Sequence, residues 1–454
     1  MKGGPSDRRQ VSWAREKAFQ VLNAWSGRER RVPLRRRITT ILDRSRRDPR
    51  DKALFWQLVL GVVRNLRLLD GVAKIFVRRL PPPGPTRQAL RIGLYQLLFL
   101  DRVPPHAAVS ESVDLVGRRH DRGLVNAVLR RTVEALGEGE ATDPTSQLAL
   151  PGGRRFAPGR PFLPHPEQRR AAYLGVRHSY PDFLVRRWGR RWGWEEAERI
   201  MVAGNTTPLL NLRVNRLKAT VAEAEASLRA QGVERLEAGE RPGTLRLDWP
   251  GNPAGLAALR EGLVSVQDPA AMEAVCRARL EPGLRVLDLC SAPGGKTTQA
   301  AEMMGDEGAV FAWDADFHRL ERTEQAARRL ELASVKVLYG LTLEEVLELG
   351  PYDRVLADVP CTSTGVLAKR PEARWKLAPR DFVKLPAIQA RILEQACRAL
   401  VPGGCLVYST CSLEPEENEG VVARAEGWRV DFQQTTLPRG GVKDGSFVAR
   451  LVKA

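Results

Sequence analysis

One stretch, Val286 to Gln299, reads V-L-D-L-C-S-A-P-G-G-K-T-T-Q and constrains this chain more than any other. An apolar run (Val286, Leu287, Leu289) leads into Pro293-Gly294-Gly295 and then into residues that can open a helix. That order predicts the strand, Gly-rich turn and helix start of a nucleotide-binding α/β unit. Glycine lets the backbone approach a ligand closely, and the free N–H groups of the helix start face it. A phosphate-cradling P-loop is disfavoured, because the glycine it needs five residues before Gly295 is Cys290. The three-glycine dinucleotide fingerprint is absent too. The competing reading is a plain structural turn, and the rest of the chain weighs against it.

Around this stretch the pattern alternates. Strand-like runs at 286–289, 310–313, 335–338, 354–357 and 405–408 are separated by helical patterns. They predict a mostly parallel, doubly wound sheet over residues 266–454, binding ligands at the carboxyl ends of its strands. Upstream, residues 10–137 keep helical spacing, as in Ala14, Ala18, Val21, Leu22 and Trp25, or Leu90, Leu94, Leu97 and Leu98. The proline-rich break at 81–85 splits these helices. An all-α domain over 1–137 follows. Residues 138–170, rich in Pro, Gly and Arg, read as a linker. Residues 171–265 read as a small α+β domain, with strands at 210–214 and 244–247 flanking a helix at 221–231.

The 454 residues carry a net charge of +18, and residues 1–50 alone hold fifteen Lys and Arg against five Asp and Glu. Such an excess points to a polyanionic partner, most commonly nucleic acid; the alternative is a solvated basic surface. From Arg169 onward, Tyr173, Tyr180, Phe183, Trp188, Trp192 and Trp194 alternate with Arg177, Arg186, Arg187, Arg190 and Arg191. Arginines for phosphates and rings for stacked bases form an RNA-binding mixture. An equally weighted reading makes the tryptophans helix core. The first residues hold no apolar segment of a secretory signal, and no apolar run approaches the ~20 residues of a membrane span. A cytoplasmic protein is expected. The six cysteines (276, 290, 361, 397, 405, 411) form no C-x-x-C pair and have no nearby histidines. That argues against a metal site and against a disulfide framework.

Polar residues punctuate the strand ends at the ligand-binding edge. Asp288 lies in the first turn region, and Asp314 ends the second strand, where an acid would accept from ribose hydroxyls. D-V-P-C-T-S-T-G (358–365) follows the fourth strand, and S-T-C-S-L-E-P-E-E-N (409–418) a later one. A single free cysteine is usually a small core residue. Two cysteines and an aspartate beside a nucleotide pocket form a more specific set.

These residues carry a resemblance. C-S-A-P-G-G-K-T-T, D-V-P-C-T-S-T-G and S-T-C-S-L-E-P-E-E-N resemble the motifs of the S-adenosylmethionine-dependent RNA (cytosine-5) methyltransferases. V-Q-D-P-A (266–270) and D-G-S-F (444–447) look like further segments of that family. Upstream, R-E-K-A-F-Q-V-L (15–22), G-V-V-R (61–64) and L-V-N-A-V-L-R (124–130) resemble the antitermination factor NusB. That fusion is typical of the bacterial enzymes that methylate cytosine in small-subunit (16S) ribosomal RNA. The likeness covers nearly the whole chain and is weakest over 137–170. It implies a multidomain protein: an all-α NusB-like domain, a small α+β RNA-binding-like domain, and a Rossmann-like α/β methyltransferase domain.

The resemblance also implies roles. Cys411 would add to C6 of the base, so that C5 becomes an enamine carbon able to attack a methyl sulfonium. Asp358 would contact the N3 region, and Cys361 would help remove the C5 proton and release the product. DNA cytosine-5 methyltransferases use a Pro-Cys cysteine like Cys361 as nucleophile, so a swap of roles stays open. Cys290, Ser291, Ala292, Pro293, Gly294, Gly295 and Lys296 would line the methionine and ribose side of S-adenosyl-L-methionine. Asp314 would take the ribose hydroxyls, with Asp358 at the same pocket. Family members often carry an Asp beside glycine facing the adenine; here the residues are Tyr339 and Gly340. Tyr339 would then stack, donate or merely pack. Lys369, Arg370 and Arg374 are expected at phosphates, together with Arg35, Arg36 and Arg37 in the basic surface near 28–50. The implied partner is 16S rRNA, naked or in an early small-subunit particle, with the target in a loop or bulge because exposing a paired base costs a few kcal/mol. No repeat demands self-association, and a monomer is expected. The competing reading is a non-catalytic RNA-binding assembly or antitermination factor on the same fold.

Overall fold

The computed structural model describes residues 11–26, 34–249 and 252–453. Residues 1–10 and the 28–33 part of the basic run lie outside the described residues. The chain divides into two compact units, Met1–Asn205 with Arg370–Trp375, and Thr206–Lys369 with Lys376–Ala454.

In the first unit, caps and prolines start helices where the apolar pattern begins. The Asp48 carboxylate accepts from the Arg50 N–H at 2.7 Å, ahead of helix Pro49–Arg64. Pro85 and Pro105 open the helices Pro85–Phe99 and Pro105–Asp114. A proline in the first turn forfeits no helical hydrogen bond. With Trp13–Ser26, Leu34–Asp43, Leu66–Phe76 and Arg119–Glu134 these helices bury Leu22, Phe55, Leu58, Val62, Leu90, Leu94 and Leu129.

The segment 138–170 is not a free linker. Leu136–Glu138, Arg154–Phe156 and Leu148–Ala149 form a three-stranded sheet in that spatial order. It is tied to the helices: Arg154 donates to the carbonyls of Leu97 and Leu98 at 3.2 and 3.3 Å, and Phe156 packs edge-on against Phe76. Strands of two or three residues are too short to show a period. The aromatic stretch also turns inward, with Tyr180 and Trp188 buried and their ring centroids 5.6 Å apart. Helix Asp182–Asn205 packs within the compact unit that ends at Asn205.

Arg374 is likewise enclosed, not poised at a phosphate. Its guanidinium lies 3.8 Å from the Tyr180 ring centroid and donates to Asn205 Oδ1 at 2.8 Å and to the carbonyls of Gly204 and Ser179 at 3.0 and 3.3 Å. Burial lowers its pKa to about 10. A planar, weakly hydrated guanidinium tolerates such enclosure where a lysine would not.

The second unit begins with a four-stranded antiparallel sheet, ordered Leu236–Ala238, Thr244–Leu247, Leu210–Val214, Val264–Val266. Helix Val221–Ala230 starts on a Thr220–Glu223 capping box, and its Ala224 and Leu228 join the apolar core of this sheet. From the strand Leu210–Val214, Arg213 reaches Glu302 at 2.8 Å, Gly295 O at 3.1 Å and Thr298 Oγ1 at 3.2 Å. It thereby anchors helix Gly295–Met303, which follows the Gly-rich turn.

The larger sheet has seven strands: β1 (Arg285–Asp288), β2 (Ala309–Ala312), β3 (Val335–Val337), β4 (Tyr352–Asp358), β5 (Leu400–Thr410), β6 (Trp428–Thr436) and β7 (Ser446–Lys453). Their order is β3-β2-β1-β4-β5-β7-β6; the first five are parallel, and β7 runs antiparallel to both its neighbours. The expected doubly wound sheet is present, with β6 and β7 added beyond the five strand-like runs. Successive side chains alternate between two cores. Val286, Leu356 and Val407 enter one; Leu287, Val355, Ala357, Leu406 and Tyr408 enter the other. Burial on both faces explains the unbroken apolar runs. Because β1, β4 and β5 are parallel, Asp288, Asp358 and Thr410 emerge at one edge, with Asp358 in register with Ser409.

Arg374→Ala strips donors from three buried acceptors. It is expected to destabilise the protein by about 2–4 kcal/mol, read calorimetrically as a lower melting temperature. A variant as stable as its parent but weaker on RNA would contradict the structural placement.

Candidate active site

The turn after β1 is built for close approach. Gly294 has φ +98°, and a Cβ there would meet Thr323 Cα at 2.9 Å. Beside Gly295, by contrast, the space is open. Asp314, just past β2, accepts from Ala292 N–H at 3.2 Å and Asp316 N–H at 3.0 Å, while Arg319 donates to Ala292 O at 2.7 Å. Asp288 Oδ2 accepts from the Thr297 hydroxyl at 2.7 Å; burial, partly offset by that bond, raises its pKa to about 7. Among the described residues, Asp288 Oδ1 and Ser291 Oγ are buried without a hydrogen-bond partner of good geometry. Unpaired buried polar atoms are costly. Two of them beside a glycine turn and an open helix start fit a small polar cofactor whose groups would complete them. Cys290 shares this turn as a protonated thiol, its pKa pushed up by burial and then by Asp288. Tyr339 is exposed and its hydroxyl donates to Glu324 Oε2 at 3.1 Å, so that donor is already spent. Gly340 turns the chain at φ +71°.

The two cysteine loops meet at the same edge. Cys361 follows β4, Cys411 follows β5, and their sulfurs lie 3.2 Å apart as free thiols. Cys411 Sγ also lies 3.5 Å from Ser363 Oγ. Asp358 is held on both oxygens, by Lys296 Nζ at 2.7 Å and by the Ser409 hydroxyl at 2.8 Å. Burial works against the Lys296 charge, but the Asp358 carboxylate outweighs it and keeps the ammonium pKa above its usual value. The Cys361 thiol is pushed well up, first by its hydrogen bond with Cys411 and then by burial. The pair therefore holds a proton on Cys361 while Cys411 faces a cavity of about 60 Å³ that Lys296, Asp358, Ser409 and Asp444 also line.

Sequence reasoning gave no role to Glu417, although it sits inside the quoted motif. Its carboxylate is fully buried and accepts from Thr362 N–H at 2.9 Å, Gln389 Nε2 at 3.0 Å, and the hydroxyls of Thr362 and Ser412. Asn418 adds a second tie, accepting from Thr410 Oγ1 at 2.6 Å and donating to Ser412 O at 3.0 Å. Three glutamates and an asparagine within seven residues after Cys411 were the available signal.

The expected phosphate contacts scatter. Lys369 is not free: it bridges Asp268 and Asp444, both nearly buried, at 2.5 and 2.7 Å. Arg370 is exposed in the helical unit, and Arg35 and Arg36 are exposed on helix Leu34–Asp43, with Arg37 half-buried. Arg35 also stands over the Trp56 ring. Among the described residues, no His, Cys, Asp and Glu side chains group as a metal site.

A seven-stranded sheet in this order, with a Gly-rich turn after its first strand and acidic residues at the next strand ends, defines an S-adenosyl-L-methionine-dependent methyltransferase. Residues 278–451 match the family model described as 16S rRNA methyltransferase RsmB/F, residues 12–134 the NusB family, and residues 180–252 the Methyltr_RsmF/B-like, ferredoxin-like domain. Ribosomal RNA small subunit methyltransferase B of Klebsiella pneumoniae is 35% identical, covering 89% of this chain and 90% of that protein. A probable ribosomal RNA small subunit methyltransferase B of Synechocystis sp. is 32% identical, covering 97% and 99%. The crystal structure of PH0851 superposes with a TM-score of 0.75 at 25% identity, covering 98% of this chain and 100% of that one. The chain belongs to the 16S rRNA methyltransferase RsmB/F family.

The raised pKa of Asp288 sets a pH dependence. A carboxyl whose folded pKa lies above its unfolded one stabilises the fold fully below pH ~4 and loses that contribution as pH rises through about 7. Urea unfolding at pH 5 and pH 8 should show a loss of at most about 3 kcal/mol from this group, at ~1.4 kcal/mol for each of the two units between pH 5 and its folded pKa. Asp288→Asn should remove that slope; an unchanged slope would contradict the assignment.

Proposed function

We propose that this chain transfers a methyl group to C5 of a cytosine in small-subunit (16S) ribosomal RNA, with Cys411 as nucleophile and Cys361 as the group that releases it. The observation that carries this reading is the contact of two reduced sulfurs 3.2 Å apart beside a fixed aspartate. A pure binding module has no need of both thiols at one strand edge. The RNA substrate is supported by relatives named as small-subunit ribosomal RNA methyltransferases.

When bound at 290–296 and Asp314, S-adenosyl-L-methionine supplies an electrophilic methyl group on a positively charged sulfur. The chain's own residues make the base able to take it. The Cys411 sulfur forms a bond to C6, and the ring electrons shift toward N3 and C5. The proton that Cys411 gives up is matched by one gained at N3, so the adduct is neutral. Asp358, held by Lys296 and Ser409, accepts from the N4 amino group and the protonated N3, so it favours the adduct over the free base. After methylation the C5 proton must leave, its electron pair restoring the C5–C6 double bond while the S–C6 bond breaks; the N3 proton is lost in turn and Cys411 regains one, so neutral 5-methylcytosine and the free thiol result. Cys361 is suited to take that proton. Its sulfur lies beside Cys411, and acting as base requires it as the thiolate, its own proton having passed to solvent before this step.

The target cytosine is unpaired or in a bulge, since extruding a paired base costs a few kcal/mol. The test compares two variants with 16S rRNA and cofactor. Cys361→Ala is expected to accumulate a covalent protein–RNA complex stable to denaturant, and Cys411→Ala to form none and to lose turnover by at least a thousandfold. The reverse pattern would swap the roles. Full methylation by both variants would overturn the mechanism, and tritiated methyl incorporation into duplex DNA instead of rRNA would overturn the substrate.

A further inference from the structure

The helical unit contains a large cleft that neither the NusB resemblance nor the catalytic motifs account for. It has a volume of about 870 Å³ and lies between the helix Leu66–Phe76, the segment 160–164 and the start of the helix Arg170–Arg177. Lys74, Arg78, Arg160 and Arg169 line it, all four exposed, and among the described residues none of their side chains makes an ion pair or hydrogen bond within the chain. Four long cations around one concavity repel one another, and among the described residues no acid pairs with them. The single acid in the lining, Asp70, is already neutralised: Arg91 grips it with two bonds of 2.8 and 2.7 Å. The fifth lining cation, Arg67, is spent on Asp182 at 2.5 Å and Tyr180 O at 2.7 Å. What remains is a cleft with four uncompensated positive charges.

Its walls are not merely charged. Phe76 and Phe162 both line it, and both pack edge-on against the buried Phe156, at centroid distances of 6.4 and 5.6 Å. Their rings are thus fixed from behind and half-exposed. A positively charged groove with aromatic walls is the composition that holds single-stranded nucleic acid, phosphates on the cations and bases on the rings. Duplex RNA is read from a shallow minor groove and offers no free base faces to rings inside a concavity. The lining offers few side-chain groups that could read a base edge, so the grip is independent of sequence.

We propose that this cleft binds a single-stranded segment of the RNA substrate and contributes to affinity without taking part in the chemistry. The proposal rests on the RNA methyltransferase reading, and its test has a readout that needs no catalysis. In the full chain, Lys74, Arg78, Arg160 and Arg169 are replaced together by Gln; all are exposed and unpaired, so the melting temperature should not move. A matched control replaces the exposed Arg118, Arg119, Arg130 and Arg131 by Gln. Binding of a single-stranded RNA oligonucleotide and of a 16S rRNA transcript is measured against salt concentration.

The expected result is at least a tenfold loss of affinity for both RNAs at 0.15 M salt in the cleft variant. Its log–log salt slope should become shallower by about 2–3, at ~0.7 per lost phosphate contact. KM for the transcript should rise while kcat holds, and the control should change less than threefold. Unchanged affinity and slope in the cleft variant would overturn the proposal while leaving the methyltransferase reading standing. So would equal losses in the control, which would mean diffuse charge, or a loss confined to particles containing ribosomal proteins, which would mean an acidic protein partner. Lost RNA affinity in the cleft variant, from a parent that methylates no RNA, would uphold the cleft and sink the activity.

Discussion

The catalytic edge depends on one buried carboxylate. Glu417 has no exposed surface, and leaving a carboxylate there unpaired would cost several kcal/mol. Four donors satisfy it, each charge-assisted and therefore stronger than a neutral bond. They come from three places: Thr362 on the loop after β4, Ser412 on the loop after β5, and Gln389 on helix Asp381–Arg398. A single group thus closes the two cysteine loops on each other. The backbone reinforces it, with Gly365 N–H donating to Cys411 O at 2.9 Å. Gly365 also lies so close to Gly445 that a Cβ would meet its carbonyl oxygen at 2.3 Å. The sulfur–sulfur contact is a consequence of these ties.

A second device couples the Gly-rich turn to the end of β4. Lys296 is the second residue of the helix that follows the Gly-rich turn, yet its ammonium is spent on Asp358 at the end of β4. An exposed ion pair of this kind would contribute little. Here the lysine side chain is only 14% exposed, and the pair fixes where the Asp358 carboxyl points. Arg213 secures the same helix from the neighbouring antiparallel sheet through Glu302. The helix after the Gly-rich turn is therefore tied at both Lys296 and Glu302.

Much of this was legible in one dimension because the chemistry sits immediately after strands. Asp288, Asp314, Asp358 and Cys411 each follow an apolar run, so the α/β pattern alone brought them to one edge. What failed were inferences about charged residues, since a charge in a sequence looks like surface until its partner is known. Lys369 and Arg374 read as phosphate contacts, but the partners of Lys369 lie 101 and 75 positions away and those of Arg374 169 to 195. Glu417 was passed over for the same reason, its Thr362 donor being 55 residues upstream. The sheet within 138–170 escaped because its strands are shorter than a period. The aromatic run from Tyr173 was ambiguous between core and RNA surface, and Tyr180 and Trp188 went to the core.

The most direct measurement is the single-turnover rate of methyl transfer in Glu417→Ala, with RNA and cofactor both saturating, alongside cofactor affinity by calorimetry and a melting curve. If the carboxylate holds the two sulfurs together, the rate should fall at least a hundredfold while cofactor affinity, set at the β1 turn, stays within about threefold. Glu417→Gln, which keeps one acceptor oxygen, should fall between. A folded Glu417→Ala protein that transfers methyl at the parent rate would contradict the dependence of the chemistry on this tie.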